Sequence, residues 1–115
     1  MAERFLRNCW YVAALDTEVV RMQPMRRTIL NEPIVLYRQR DGSPVALEDR
    51  CAHRQAPLSK GLVKGDVIEC PYHGMRYGPD GKCVLVPSQD TIPPAAVVKS
   101  YPVVEKHKWI WIWMG

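Results

Sequence analysis

The sequence predicts an all-β domain of short antiparallel strands, and three observations carry that prediction. The apolar runs are short and end at turn residues. Ten prolines and seven glycines are spread along all 115 residues, which reads as punctuation between strands and not as a linker. No window holds a convincing helical period. With 47% apolar and 24% charged residues, the composition is that of a globular chain. The length suits one domain with one core, so residues 1–115 are taken as a single unit.

The elements follow in order. Cys9–Leu15 (CWYVAAL) reads as the first strand. Residues 27–30 and 34–39 read as a pair split by Asn31-Glu32-Pro33. Asp41-Gly42 marks a tight turn into a strand at 44–48. Pro57-Leu58-Ser59 starts one short helical turn, and residues 67–69 form a short strand leading into Cys70. Pro79-Asp80-Gly81 turns the chain before a strand at 82–86, and residues 87–94 form a loop. Residues 97–105 and 109–113 close the domain as a hairpin around Lys106-His107-Lys108. In the last strand Trp109, Trp111 and Trp113 share one face, and Ile110 and Ile112 the other. Two apolar faces predict a central strand buried on both sides. The alternative is a face meant for another domain.

No apolar run approaches the length of a membrane span, and the opening residues lack the apolar stretch of a secretory signal. A cytoplasmic protein without a membrane partner is the expectation. The formal charge of +4 is scattered, and basic and aromatic residues do not interleave, so nucleic acid is not expected as a partner. Arg50, Arg54, Lys60, Lys64 and Arg76 fall in or beside the segments that carry the Cys/His pairs. They form either a solvated rim or a docking surface for an acidic redox partner.

The chemistry lies in Cys51-Ala52-His53 and Cys70-Pro71-Tyr72-His73, with 16 residues between His53 and Cys70. Each segment offers one thiolate and one imidazole, and two facing loops would bring the four ligands together. Zinc accepts such a set, but its familiar fingers pair Cys with Cys and His with His along the chain. A two-iron cluster suits the order Cys-His, Cys-His, with both thiolates on one iron and both imidazoles on the other. A chance set of core residues is the third reading.

The run Arg50-Cys51-Ala52-His53-Arg54, then Pro57-Leu58-Ser59, Gly61 and Gly65-Asp66, ending Cys70-Pro71-Tyr72-His73-Gly74, resembles the Rieske motif. More narrowly, it resembles the N-terminal domain of Rieske non-haem iron oxygenases of the vanillate O-demethylase type. Residues 8–13, 101–105 and 110–115 are similar to the same group, so the resemblance covers essentially the whole chain. It implies a Rieske [2Fe-2S] cluster held by Cys51, His53, Cys70 and His73. It also implies single-electron transfer, as the domain through which electrons enter an aromatic-ring or O-demethylating oxygenase. The partners it implies are a reductase or ferredoxin donor and an oxygenase catalytic domain, with His73 meeting a carboxylate near the catalytic iron of a neighbouring subunit. The alternatives are a stand-alone Rieske ferredoxin and a zinc-stabilised binding module.

Two departures stand out. The oxygenases usually carry Trp where this chain has Met75. They also continue into a catalytic domain with a mononuclear iron held by two histidines and a carboxylate. Here only His107 lies outside the cluster motif, so that domain is expected to be absent and no catalytic residue is assigned. The respiratory Rieske branch has a disulfide at the positions of Ala56 and Tyr72, and hydroxyl donors at those of Met75 and Tyr77. Of these, Tyr77 alone keeps a hydroxyl.

Other residues have plainer expectations. Cys9 and Cys83 are read as buried small apolar side chains, His107 as a solvated turn residue, and the tryptophans as core. Asp49 and Glu69 are structural or tune charge, and Tyr72 covers the cluster or packs.

Overall fold

The computed structural model describes residues 5–52, 56–72, 74–87 and 91–115. Eleven strands occupy these residues: β1 (Cys9–Leu15), β2 (Met25–Ile29), β3 (Glu32–Arg38), β4 (Pro44–Glu48), β5 (Leu62–Lys64), β6 (Val67–Glu69), β7 (Arg76–Tyr77), β8 (Cys83–Leu85), β9 (Ser100–Tyr101), β10 (Val103–Lys106) and β11 (Trp109–Met114). They form three antiparallel sheets in the orders β1-β11-β10, β2-β3-β4-β9 and β5-β6-β7-β8. The predicted all-β class is what is found.

The β2-β3-β4-β9 sheet is the middle layer, because side chains alternate across a strand. Ile34, Leu36 and Ala46 point one way and join Ala13, Ala14, Ile110, Ile112 and Met114 of the β1-β11-β10 sheet in one core. Val35, Tyr37, Val45 and Leu47 point the other way. They pack with Val63, Ile68 and Tyr77 of the β5-β6-β7-β8 sheet, and with Cys51 and Cys70. The two cysteines thus lie in the core of one half of the domain, and β1, β10 and β11 build the other.

Several elements sit as the sequence predicts: β1, β4, β6 and a 3-10 turn at Leu58–Lys60. Others are corrected. Glu32 and Pro33 belong to β3, and the β2–β3 turn is Leu30-Asn31, both at positive φ (51° and 64°). Such a pair matches the twist of a two-residue hairpin. Pro33 is tolerated because β3–β4 pairing begins at Ile34↔Glu48, so its missing N–H breaks no ladder bond there. The expected strand at 97–105 is two: β9 pairs with β4, and only β10 makes the hairpin with β11, through His107 and Lys108 at positive φ. The short strands β5 and β7 were not foreseen, and part of the 87–94 loop lies outside the described residues.

The last strand is the main correction. β11 is central, but only its Ile110, Ile112 and Met114 face is buried. Trp109 is 41% exposed, Trp10 opposite Trp113 is 43% exposed, and Trp111 and Trp113 are half-buried. The tryptophans lie on an outer face, not in the core. The strand buried on both sides is β3.

Candidate metal centre

Each cysteine follows a strand and donates its N–H forward along the chain. The Cys51 N–H donates to the Ala56 carbonyl at 2.7 Å, and the Cys70 N–H to the Met75 carbonyl at 2.7 Å. In both, the bond runs from the cysteine N–H to the carbonyl five positions on. Cys51 and Cys70 are buried at 1% and 2% exposure in one core cluster, and no disulfide joins any of the four cysteines. His53 and His73, the other two ligands expected from the sequence, lie outside the described residues.

Glycines fix how the loops meet. A Cβ on Gly61 would stand 1.8 Å from the Glu69 carbonyl oxygen. Only a glycine lets the turn after the first segment dock on the residue that precedes Cys70. Gly74, just past the second segment, has φ of 72°, the left-handed region that favours glycine.

Asp49 is the one buried charged residue among those described. Its carboxylate accepts from the Ser59 N–H (2.7 Å), the Ser59 hydroxyl (2.7 Å) and the Arg26 guanidinium (3.0 Å). These bonds tie the approach to Cys51 to the 3-10 turn and to β2, so the role found is structural. Glu69 pairs with Arg76 (2.9 Å) across β6–β7, and Arg50 with Glu48 (2.6 Å). Two of the five basic residues singled out in the sequence are thus neutralised locally. Lys60 and Lys64 are exposed, and Arg54 lies outside the described residues.

Tyr77 was the one hydroxyl foreseen near the site, and it is there. Its oxygen is 3.2 Å from Cys51 Sγ and accepts the Ala52 N–H at 3.0 Å. Either atom can donate in that contact while Cys51 is a thiol; when Cys51 is a thiolate, only the Tyr77 hydroxyl can. Burial pushes the Tyr77 phenol well above its ordinary value, and the contact with Cys51 pushes it further. It therefore stays protonated and able to donate. The Met75 sulfur lies 3.8 Å from Cys51 Sγ, buried. It fills space beside the thiolate without offering a donor.

The remaining residues fall outside the centre. Cys83 is buried, its thiol pushed up by desolvation and directed at the Leu85 carbonyl, so it stays protonated. Cys9 is half-buried, not fully buried as expected, with its thiol toward the Leu6 carbonyl. His107 is exposed in its turn. Tyr72 stands 72% exposed beside Cys70, outside the core.

Residues 9–102 match the Rieske [2Fe-2S] domain. The chain belongs to the Rieske [2Fe-2S] domain family. That family binds a [2Fe-2S] cluster, and the residues described fit one: two buried cysteines in one core cluster, with a phenol oxygen in contact with one of the sulfurs. The chain is 55% identical over 111 residues to the toluene-4-sulfonate monooxygenase system iron-sulfur subunit of Comamonas testosteroni, covering 96% of this chain and 32% of that protein. It is 42% identical over 111 residues to the vanillate O-demethylase oxygenase subunit of a Pseudomonas strain, covering 96% of this chain and 31% of that one. The crystal structure of apo dicamba monooxygenase superposes with a TM-score of 0.92 at 48% identity, over 96% of this chain and 34% of that one. The chain spans about a third of the length of the curated relatives it matches. Among the described residues no helix is long and apolar enough to cross a membrane.

Proposed function

We propose that this Rieske domain delivers single electrons to an oxygenase catalytic site, with Cys51 and Cys70 ligating one iron and His53 and His73 the other. The observation that carries the proposal is the burial of both cysteines in one core beside the Tyr77 hydroxyl, each with its N–H bonded to the carbonyl five positions on. When bound, the cluster supplies a one-electron couple whose potential is raised because two neutral imidazoles replace two thiolates.

The chain's own part in that chemistry is to hold the ligands and set their surroundings. The Cys51 N–H bond to Ala56 and the Asp49 clamp hold Cys51 before any metal binds, which lowers the rearrangement needed on reduction. Core packing keeps water from the two sulfurs. Tyr77 donates to the thiolate and so favours the more negative, reduced state. Fully ligated irons leave no open position for oxygen, so the domain by itself donates and accepts electrons and oxygenates nothing. Its donor is a reductase or ferredoxin, and its acceptor an oxygenase catalytic domain.

The test is a set of cysteine variants. Cys51→Ser and Cys70→Ser are expected to lose iron and to lower stability, because metal binding is coupled to folding. Cys9→Ser and Cys83→Ser are expected to keep it. Selective iron loss from a folded Cys9→Ser or Cys83→Ser variant overturns the assignment.

A further inference from the structure

We propose that a hollow at the end of the domain remote from Cys51 and Cys70 binds a phosphate-type oxyanion between the guanidinium groups of Arg21 and Arg40. The hollow measures about 110 Å³ and is lined by Arg21, Met22, Arg38, Gln39, Arg40 and Gly65. At roughly 30 Å³ per water molecule of the liquid, it has room for one small oxyanion and not for a nucleotide. Arg40 lies between β3 and β4, and Gly65 between β5 and β6. From there β4 leads toward Cys51 and β6 toward Cys70. Gly65 and Cys70 are separated by on the order of 10–15 Å of chain, so the hollow is distinct from the metal centre. Two glycines seat the two cations. Gly42 and Gly65 both lie at positive φ, 91° and 64°. A Cβ on Gly42 would meet Arg21 Nη2 at 3.9 Å, and one on Gly65 would stand 3.4 Å from Arg40 Nε. Each guanidinium therefore rests against the backbone of a turn. Met22, next to Arg21, is held at φ of 68°, which is uncommon for a residue other than glycine.

What the three arginines already do selects the ligand. Arg38 is committed to the fold. It donates to the carbonyls of Asp16, Val19 and Gly42 and to the Glu105 carboxylate, and its side chain is 12% exposed. Arg40 and Arg21 are different. The Arg40 side chain is 78% exposed, and its guanidinium reaches Asp66 only at 3.5 Å. Arg21 is exposed and donates none of the hydrogen bonds found among the described residues. The nearby carboxylates are engaged by other donors. Asp41 accepts from the Ser43 N–H (2.8 Å) and hydroxyl (2.6 Å), Asp66 from the Arg40 N–H (2.8 Å) and Glu105 from Arg38 (2.6 Å). Ser43 is the main cause that holds the Asp41 carboxyl below its usual range, and Arg21 contributes least. Two guanidinium groups with donors to spare thus line one small hollow. A single guanidinium can satisfy both oxygens of a carboxylate. A phosphate presents three or more oxygens and up to two charges, so it can engage both arginines at once.

The experiment titrates the cluster-loaded 115-residue chain, isotopically labelled, with inorganic phosphate, glycerol phosphate and acetate in turn. Ionic strength is held constant, and backbone amide shifts are followed by nuclear magnetic resonance. Phosphate is expected to move the Met22, Gln39, Arg40 and Gly65 amides along one saturable curve. Arg21→Gln and Arg40→Gln, both at exposed positions, should each weaken the affinity about tenfold or more, as loss of a charge-assisted hydrogen bond does. Lys60→Gln removes the same charge from the exposed end of the 3-10 turn that Asp49 ties to the Cys51 segment. It should leave the affinity unchanged. Glycerol phosphate that binds as phosphate does marks a site for phosphate esters, and binding of inorganic phosphate alone marks a site for the free ion; both uphold the proposal. Four results overturn it: acetate binding as tightly as phosphate, an affinity unchanged in either arginine variant, equal weakening by Lys60→Gln, or shifts that never saturate, as diffuse charge gives. No arm of the experiment depends on electron transfer, so failure here leaves the reading of the cluster untouched.

Discussion

Replacing Tyr77 by Phe removes one hydroxyl and nothing else of size, which makes it a clean probe of how the protein sets the cluster potential. The hydroxyl is 3.2 Å from Cys51 Sγ, and its oxygen holds the Ala52 N–H. A hydrogen bond to a charged acceptor contributes about 1.5–3 kcal/mol, against about 0.5–1.5 for a neutral one. Adding an electron makes the sulfur more negative, so the bond favours the reduced state by a fraction of that difference, about 1 kcal/mol. For one electron, 59 mV corresponds to about 1.4 kcal/mol, so Tyr77→Phe is expected to lower the midpoint potential by about 40 mV. The Ala52 N–H also loses its acceptor, which adds a stability cost of about 1–3 kcal/mol if it stays buried. The assay is redox titration of the cluster absorbance, with Tyr37→Phe as control. Tyr37 is equally buried but donates to the Asp66 carbonyl, away from both cysteines. Its loss should lower stability and leave the potential alone. An unchanged or raised potential in Tyr77→Phe refutes the reasoning.

Three further outcomes are expected. Asp49→Asn removes a buried charge held by Ser59 and Arg26 and should cost about 3 kcal/mol. At about 4 °C per kcal/mol that lowers Tm by about 12 °C by calorimetry. Gly61→Ala forces a Cβ against the Glu69 carbonyl. It should destabilise by at least about 2–3 kcal/mol in denaturant titration and reduce cluster retention, because the two ligand segments are pushed apart. Glu32 is partly desolvated, which raises its pKa, but the Tyr101 hydroxyl and Arg7 outweigh this and hold it below the usual carboxylate value. Its contribution is therefore complete above its unfolded pKa of about 4.3 and is lost as pH falls through the lower folded value. Glu32→Gln should flatten the fall in stability below about pH 4, read by denaturant titrations across pH 3–6.

Much of this architecture is legible in the residues because local chemistry decides it. Asp41-Gly42 and Pro79-Asp80-Gly81 specify turns by backbone preference, and β1 and β4 are bounded by such signals. Strands of two or three residues, such as β5 and β7, carry too few positions for a period and exist through tertiary pairing. The Leu30-Asn31 turn was hidden because Pro33 reads as a breaker, while its place beyond the end of β4 removes the penalty. The Trp/Ile alternation of β11 and the Ile34-Val35-Leu36-Tyr37 run of β3 look alike as patterns. Which strand is covered on both sides depends on layer order, and no single strand encodes that. The spacing Cys-x-His and Cys-x-x-His is a local signal in the sequence, and of its four residues the structure describes Cys51 and Cys70. Asp49 was noticed only for its position, because its partners Arg26 and Ser59 come from separate elements. Tyr77 was found because it stands where the respiratory branch places a hydroxyl donor, whereas its contacts with Ala52 and Cys51 need the fold.

The central claim is that Cys51, His53, Cys70 and His73 hold a two-iron cluster that cycles by one electron. Iron, zinc and acid-labile sulfide analysis of the purified chain, with electron paramagnetic resonance before and after dithionite, tests it most directly. The account predicts about two irons and two sulfides per chain, colour that bleaches on reduction, and a paramagnetic signal only in the reduced state. A colourless, folded chain carrying about one zinc and no sulfide contradicts it.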